Sequence, residues 1–198
     1  VLRPVAEDPK FTHALFGLDG GDRLVYSDQR HFGMMKTVDT SSVNSTREIA
    51  KLAPEPFSDE FSKKYLRHVL DSSNRSVKEV LTDQTKVCGL GNIYAAEALH
   101  ISRIDPQMES NSISSVKSNR LHAAIIYVLQ KAMAHSTLIE PAPDNFEGTY
   151  YSSGAEVEWS VYDREGMPCP RCGQPIARIA QGGRSTYYCK KCQKRRSA

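Results

Sequence analysis

Apolar positions change period along this chain, and the changes divide it. From Phe11 to Leu18 they alternate well enough for a strand. Asp19-Gly-Gly-Asp22 reads as a hairpin turn, with Arg23 to Ser27 as the return strand. Met34 to Val38 predicts a third strand. The polar stretch before it, Asp28-Gln-Arg-His-Phe-Gly33, holds one aromatic. Its default reading is a structural turn. An Arg and a Phe two apart at a hairpin tip can also both project outward, as a wedge does when it fills the space of a displaced base. The opening Val1-Leu-Arg-Pro-Val carries no capping signal and reads as a sequence entered within a β-sheet.

The period then turns helical. Asp39 to Thr46 is rich in Ser and Thr, and Leu52-Ala-Pro-Glu-Pro-Phe57 is a rigid connector, so a domain boundary is expected between Thr40 and Pro56. Ser58 is expected to cap a helix running to Leu70, with Phe61, Tyr65, Leu66 and Val69 on one face. A short helix is expected over Ser76 to Asp83. Gly89-Leu-Gly91-Asn92, ahead of a helix over Ala95 to His100, forms a tight turn at a helix N-terminus. Such a turn suits an anion, although Gly-x-Gly is also a common ordinary turn. Ser112 or Ser114 caps a long helix to His135, whose apolar positions mark it as core. His122 on that helix reads as packed or surface, not as a ligand. Pro141 to Gly154 has no period and reads as a long loop. The predicted class is α+β.

The chemistry concentrates at the end of the chain. Cys169-x2-Cys172 and Cys189-x2-Cys192 can each point two thiolates inward from one tight turn. Together they suit a tetrahedral four-cysteine zinc site; two disulfides in a secreted domain, and a structural zinc without other function, are the competing readings. Strands are expected on either side of Gln181-Gly-Gly-Arg184. From Cys169 to Ala198 there are eight Lys or Arg and no Asp or Glu, whereas the other 18 Lys and Arg accompany all 23 acidic residues. The net charge of +3 therefore conceals a strongly basic metal module, a footprint for nucleic-acid phosphate. The fifth cysteine, Cys88, lies in an apolar stretch and reads as packing. Its isolation suits a reducing compartment. No apolar run is long enough to span a membrane, which takes about 18 residues or more.

Four segments in order carry a resemblance: Asp28-Gln-Arg-His-Phe-Gly33, Asp83-Gln-Thr with Gly89-Leu-Gly-Asn-Ile-Tyr-Ala-Ala-Glu97, Val161-Tyr-Asp-Arg-Glu-Gly166, and the paired cysteines with Gly183-Arg-Ser-Thr-Tyr-Tyr188 between them. The chain resembles, over essentially its whole length, the formamidopyrimidine-DNA glycosylases and their endonuclease VIII relatives. The resemblance implies part of an N-terminal β-sandwich over 1–42, a linker over 43–56, and a helix–two-turn–helix domain over 57–140. A lesion-capping loop region over 141–164 and a zinc finger over 165–198 would follow. It implies base-excision repair by a bifunctional glycosylase and AP lyase that removes oxidised purines and cleaves the strand by β,δ-elimination. One structural zinc held by Cys169, Cys172, Cys189 and Cys192 is implied. So is double-stranded DNA with an oxidised purine or abasic site as the partner of a monomer located with DNA inside the cell. Arg30 resembles the arginine set opposite the flipped base, Phe32 the adjacent wedge, Lys78 and Asn92 phosphate ligands, and Arg184 the finger arginine that grips phosphate.

The family opens with Pro-Glu-Leu-Pro-Glu, its proline amine being the nucleophile; Val1 is not proline, and the Pro4 nitrogen is an amide. No catalytic residue carries over, and these residues alone are expected to bind DNA without performing the chemistry. His31 stands where the family often has a basic residue. Ser136-Thr-Leu-Ile-Glu-Pro-Ala-Pro replaces a Gly-Gly-Ser/Thr-Thr-Leu-Arg-Asp run, which bears on base preference. The alternative is a non-enzymatic zinc-ribbon protein that binds nucleic acid. The Arg30 and Phe32 pair discriminates, since a void-filling pair serves lesion extrusion and has no obvious use on RNA.

Overall fold

The computed structural model describes residue 8, residues 10–136 and residues 159–195. Most of the proposed lesion-capping region therefore lies outside the described residues. The fold is α+β, and the described residues divide into two units, one up to residue 45 and one from residue 46 onward.

In the first unit, β1 (Thr12–Gly17) and β2 (Arg23–Ser27) form an antiparallel ribbon with Ala14 opposite Tyr26 and Phe16 opposite Leu24. The Leu18 N–H donates to the Asp22 carbonyl at 2.8 Å and closes the expected turn. The third strand does not form. Residues 32–39 join no ladder, and Met34 is 72% exposed. Strand propensity needs a partner edge and a face to bury, and this segment has neither among the described residues.

The second unit holds the core. Its helices are α1 (Arg47–Ala50), α2 (Lys63–Asp71), α3 (Val77–Leu81), α4 (Asn92–Ser102) and α5 (Ser115–Ser136). Leu66, Leu70, Leu81, Leu99, Leu121 and Ile125 are all fully buried among them. α2 starts four residues later than Ser58 would set it, because the cap is Ser62, whose Oγ accepts from Tyr65 N at 3.1 Å. Phe61, just ahead of the cap, is buried and stacks on His122 at 5.1 Å, which turns the chain into the core before the helix begins. The His122 ring lies 2.7 Å from the Phe61 carbonyl oxygen, a packed residue as expected. α3 is capped by Ser76, whose Oγ accepts from Glu79 N. α4 starts at Asn92, three residues ahead of the expected Ala95, because the extended Gly91 serves as its cap. Cys88 is buried. No described helix is long and apolar enough to cross a membrane.

The chain ends in a second ribbon, β3 (Ala177–Gln181) with β4 (Arg184–Tyr188). Gln181 faces Arg184 across Gly182 and Gly183, at φ 57° and 72°. Positive φ at both turn residues matches the twist of the strands, and two glycines adopt it without strain.

Candidate nucleic-acid interface and metal centre

The metal centre starts from two tight turns. Cys172 N and Gly173 N both donate to the Cys169 carbonyl, and Gln193 N donates to the Cys189 carbonyl at 2.9 Å. The turns bring the four Sγ atoms within 4.8 Å of one another, with Cys172 and Cys189 3.5 Å apart. A tetrahedral zinc with bonds of about 2.3 Å needs sulfurs about 3.8 Å apart. All five cysteines are free thiols, so the disulfide reading fails. The thiols oppose one another electrostatically. Burial, then the neighbouring thiols, pushes Cys192 up to about 12, while the Gln174 backbone N–H lowers Cys172 to about 7. Four crowded thiols cannot all ionise alone, and a dication resolves the conflict. The set fits one structural zinc.

The finger is locked onto the helices by side chains that the sequence did not advertise. The Glu97 carboxylate, buried on α4, accepts from the backbone N–H groups of Ser160, Val161 and Tyr162, each at 2.9 Å. Gln193 donates to the Ile104 carbonyl at 2.9 Å and accepts from Cys189 N at 2.8 Å. Gln181 donates to Ser76 Oγ and to the Pro106 carbonyl. His100 Nε2 lies 3.4 Å from Cys169 Sγ, and burial, then the Arg171 charge, lowers its pKa. A neutral ring with its proton on Nε2 donates to that sulfur, the kind of contact that orients a metal ligand. Glu97 closes one of the motifs and Gln193 follows the last cysteine, but the partners of Glu97 lie 63 to 65 positions away and the Ile104 partner of Gln193 lies 89 away. No local pattern could announce those bonds.

This docking creates a seam where three expected residues meet. Lys78 is 2% exposed on α3 and lines a cavity of about 230 Å³ with Arg75, Glu79, Asp83, Gln181 and Arg184. Burial, and second the Arg184 guanidinium, lowers the Lys78 ammonium to about 8. An incoming anion would relieve both effects. Asn92 stands at the start of α4, whose first N–H groups have no intrahelical acceptor. Its side-chain amide donates to the Ser185 carbonyl at 3.0 Å and so braces the finger beside Arg184. Its Oδ1 is buried without a partner among the described residues.

Arg30 and Phe32 lie in the other unit, together on one turn. The Asp28 carboxylate holds that turn by accepting from Arg30 N at 3.0 Å and Gly33 N at 2.6 Å. The Gly33 bond leads the effects that lower the Asp28 pKa. Gly33 lets the chain pass close to Tyr26, since a Cβ there would come within 1.6 Å of the Tyr26 hydroxyl and displace that ring. Phe32 is 81% exposed, with the Arg30 guanidinium 5.2 Å from its ring centre.

Comparison with known proteins agrees with this geometry. Residues 52–140 match the formamidopyrimidine-DNA glycosylase H2TH domain, and residues 166–195 the zinc finger found in FPG and IleRS. The formamidopyrimidine-DNA glycosylase of Pelotomaculum thermopropionicum is 38% identical over 95% of this chain and 68% of its own length. The chain belongs to the formamidopyrimidine-DNA glycosylase family. The enzyme of that name from Desulforamulus reducens is 42% identical over 93% of this chain and 66% of its own. The chain thus spans about two thirds of the length of these curated relatives. Among solved structures, the Lactococcus lactis formamidopyrimidine-DNA glycosylase bound non-covalently to DNA with an AP site superposes with TM-score 0.85 at 33% identity, over 98% of this chain and 70% of that one. That of Thermus thermophilus superposes with TM-score 0.77 at 31% identity, over 97% and 71%. The family places the chain among DNA-binding glycosylases of base-excision repair, with a zinc finger as one of its parts.

Proposed function

We propose that these 198 residues are the damage-binding part of a glycosylase and AP lyase acting on oxidised purines in duplex DNA. The observation that carries this reading is the seam: the buried Lys78 and the exposed Arg184 share one cavity beside the start of α4, with the zinc finger forming one wall. A desolvated Lys78 facing the exposed Arg184 guanidinium is suited to a phosphodiester, which adds counter-charge to that of Glu79 and Asp83. In this reading Lys78, Asn92 and Arg184 grip phosphates around an extruded nucleotide. Phe32 fills the vacated stack, and Arg30 bonds the orphaned base. The Lactococcus lactis relatives bound to DNA with abasic sites support that assignment. The protein acts as a monomer located with DNA inside the cell.

The full reaction of the family needs the secondary amine of an N-terminal proline to form a Schiff base with the sugar. The Pro4 nitrogen is an amide and has no such lone pair. A polypeptide of these residues alone is therefore expected to bind and not to cut.

The test compares affinity for abasic-site duplex, intact duplex and structured RNA, with borohydride trapping alongside. Preference for the abasic duplex is expected, with no covalent adduct. Arg184→Ala should weaken binding about tenfold and lower the salt slope by about 1. Equal affinity for all three nucleic acids would favour a general nucleic-acid-binding zinc ribbon. An efficient adduct would overturn the claim of catalytic silence.

A further inference from the structure

A second cavity, of about 300 Å³, shares no lining residue with the Lys78 seam. It is lined by Ser102, Arg103, Lys117, Arg120, Cys192 and Lys194. Four cations from three places in the fold thus surround one space: the end of α4, the first turns of α5, and the second cysteine turn of the finger. No carboxylate lines it, and no ion pair among the described residues involves any of the four. The Lys78 seam differs, since Glu79 and Asp83 dilute its charge.

The backbone supplies a second observation. Arg103 ends α4 in the left-handed region, at φ 58° and ψ 43°, with its N–H donating to the His100 carbonyl at 3.2 Å. Glycine fills that position without strain, and a residue with a Cβ does not. Here the strained position carries a guanidinium to the rim of the cavity. Strain held at a charged rim points to binding more than to packing.

We infer that this cavity is a second phosphate site, built for a multivalent phosphate group with Arg103 and Arg120 as its principal donors. Like charges gathered without a carboxylate repel one another, and a phosphate removes the repulsion while accepting several charge-assisted bonds. The group comes either from a DNA backbone beyond the lesion or from a free polyphosphate. The inference does not depend on the Lys78 seam or on the proposed lesion binding.

Inorganic pyrophosphate titrated into the zinc-loaded chain at low salt, followed by amide NMR, tests it. Saturable shifts at Arg103, Lys117, Arg120 and Lys194 are expected. Arg103→Gly should weaken the response about tenfold while leaving the melting temperature unchanged or raised, since glycine suits the backbone. Lys78→Ala should leave the response intact. A fall of about 1 in the salt slope of duplex binding in Arg103→Gly assigns the phosphate to DNA, and an unchanged slope, with pyrophosphate bound by the unaltered chain and lost in the variant, assigns it to a free polyphosphate. Either result upholds the site. Absence of saturable shifts at these residues, or equal shifts in Arg103→Gly, overturns it.

Discussion

Phe32 stands 81% exposed on its turn, whereas Lys78 is 2% exposed in its seam. The hairpin unit holds Arg30 and Phe32, the side chains proposed to meet DNA, by local means: one carboxylate, two backbone N–H groups and a glycine. The helix–finger unit holds its own by long-range means, through a metal centre, a buried glutamate and two glutamines that tie distant segments together. The ribbon also leaves Leu15, Phe16 and Leu24 exposed, and a two-stranded hairpin is marginal by itself. In the first unit the proposed contact residues are therefore expected to be replaceable at little cost in stability. In the second, the proposed contacts and the fold share one network.

Metal removal breaks that contrast most strongly. Zinc supplies on the order of 10 kcal/mol of folding free energy to a finger this small. Chelation is expected to abolish duplex binding while the helical circular dichroism of α2, α4 and α5 persists. Tight DNA binding after verified zinc loss would show that the finger is not the anchor.

Glu97→Ala comes next. It removes the acceptor of three backbone N–H groups at a buried site, and a cost of about 3 kcal/mol is expected in urea unfolding. A loss near zero would mean that water replaces the carboxylate and that the finger is loosely docked. Phe32→Ala should do the reverse: stability changes by less than about 0.5 kcal/mol, while preference for abasic over intact duplex falls by about 1–3 kcal/mol.

The smallest effect is a pH dependence. With Lys78 lowered to about 8 from an ordinary 10.5, the folded protein holds fewer protons than the unfolded chain between those values. Its burial therefore costs stability in full below pH 8, and the cost fades as pH rises toward 10.5. Phosphate binding runs the opposite way, because it uses the charged form. Affinity is expected to be greatest below pH 8 and to fall severalfold above it, with Lys78→Arg removing the dependence. A profile that is flat in both proteins would show that Lys78 does not touch phosphate.

Features with a local cause could be read in advance. The cysteine spacing, the Gly182-Gly183 turn and the periodicity of α5 each follow from residues a few positions apart. The expectation of a strand over Met34 to Val38 failed because a strand depends on its neighbour more than on its own residues. The start of α2 moved to Ser62 because burial of Phe61 against His122, 61 positions away, decides where the chain turns.

The order of residues by itself determined the family, the metal ligands and the basic charge of the finger, since ligand spacing and charge are properties of the linear chain. Only the tertiary structure decided that Lys78 is buried beside Arg184, that the Asn92 side chain braces β4, and that Glu97 closes three distant N–H groups. Those are facts about pairs separated by 63 to 106 positions, and a hydrogen bond or a desolvated charge exists only once the fold has brought both partners out of water.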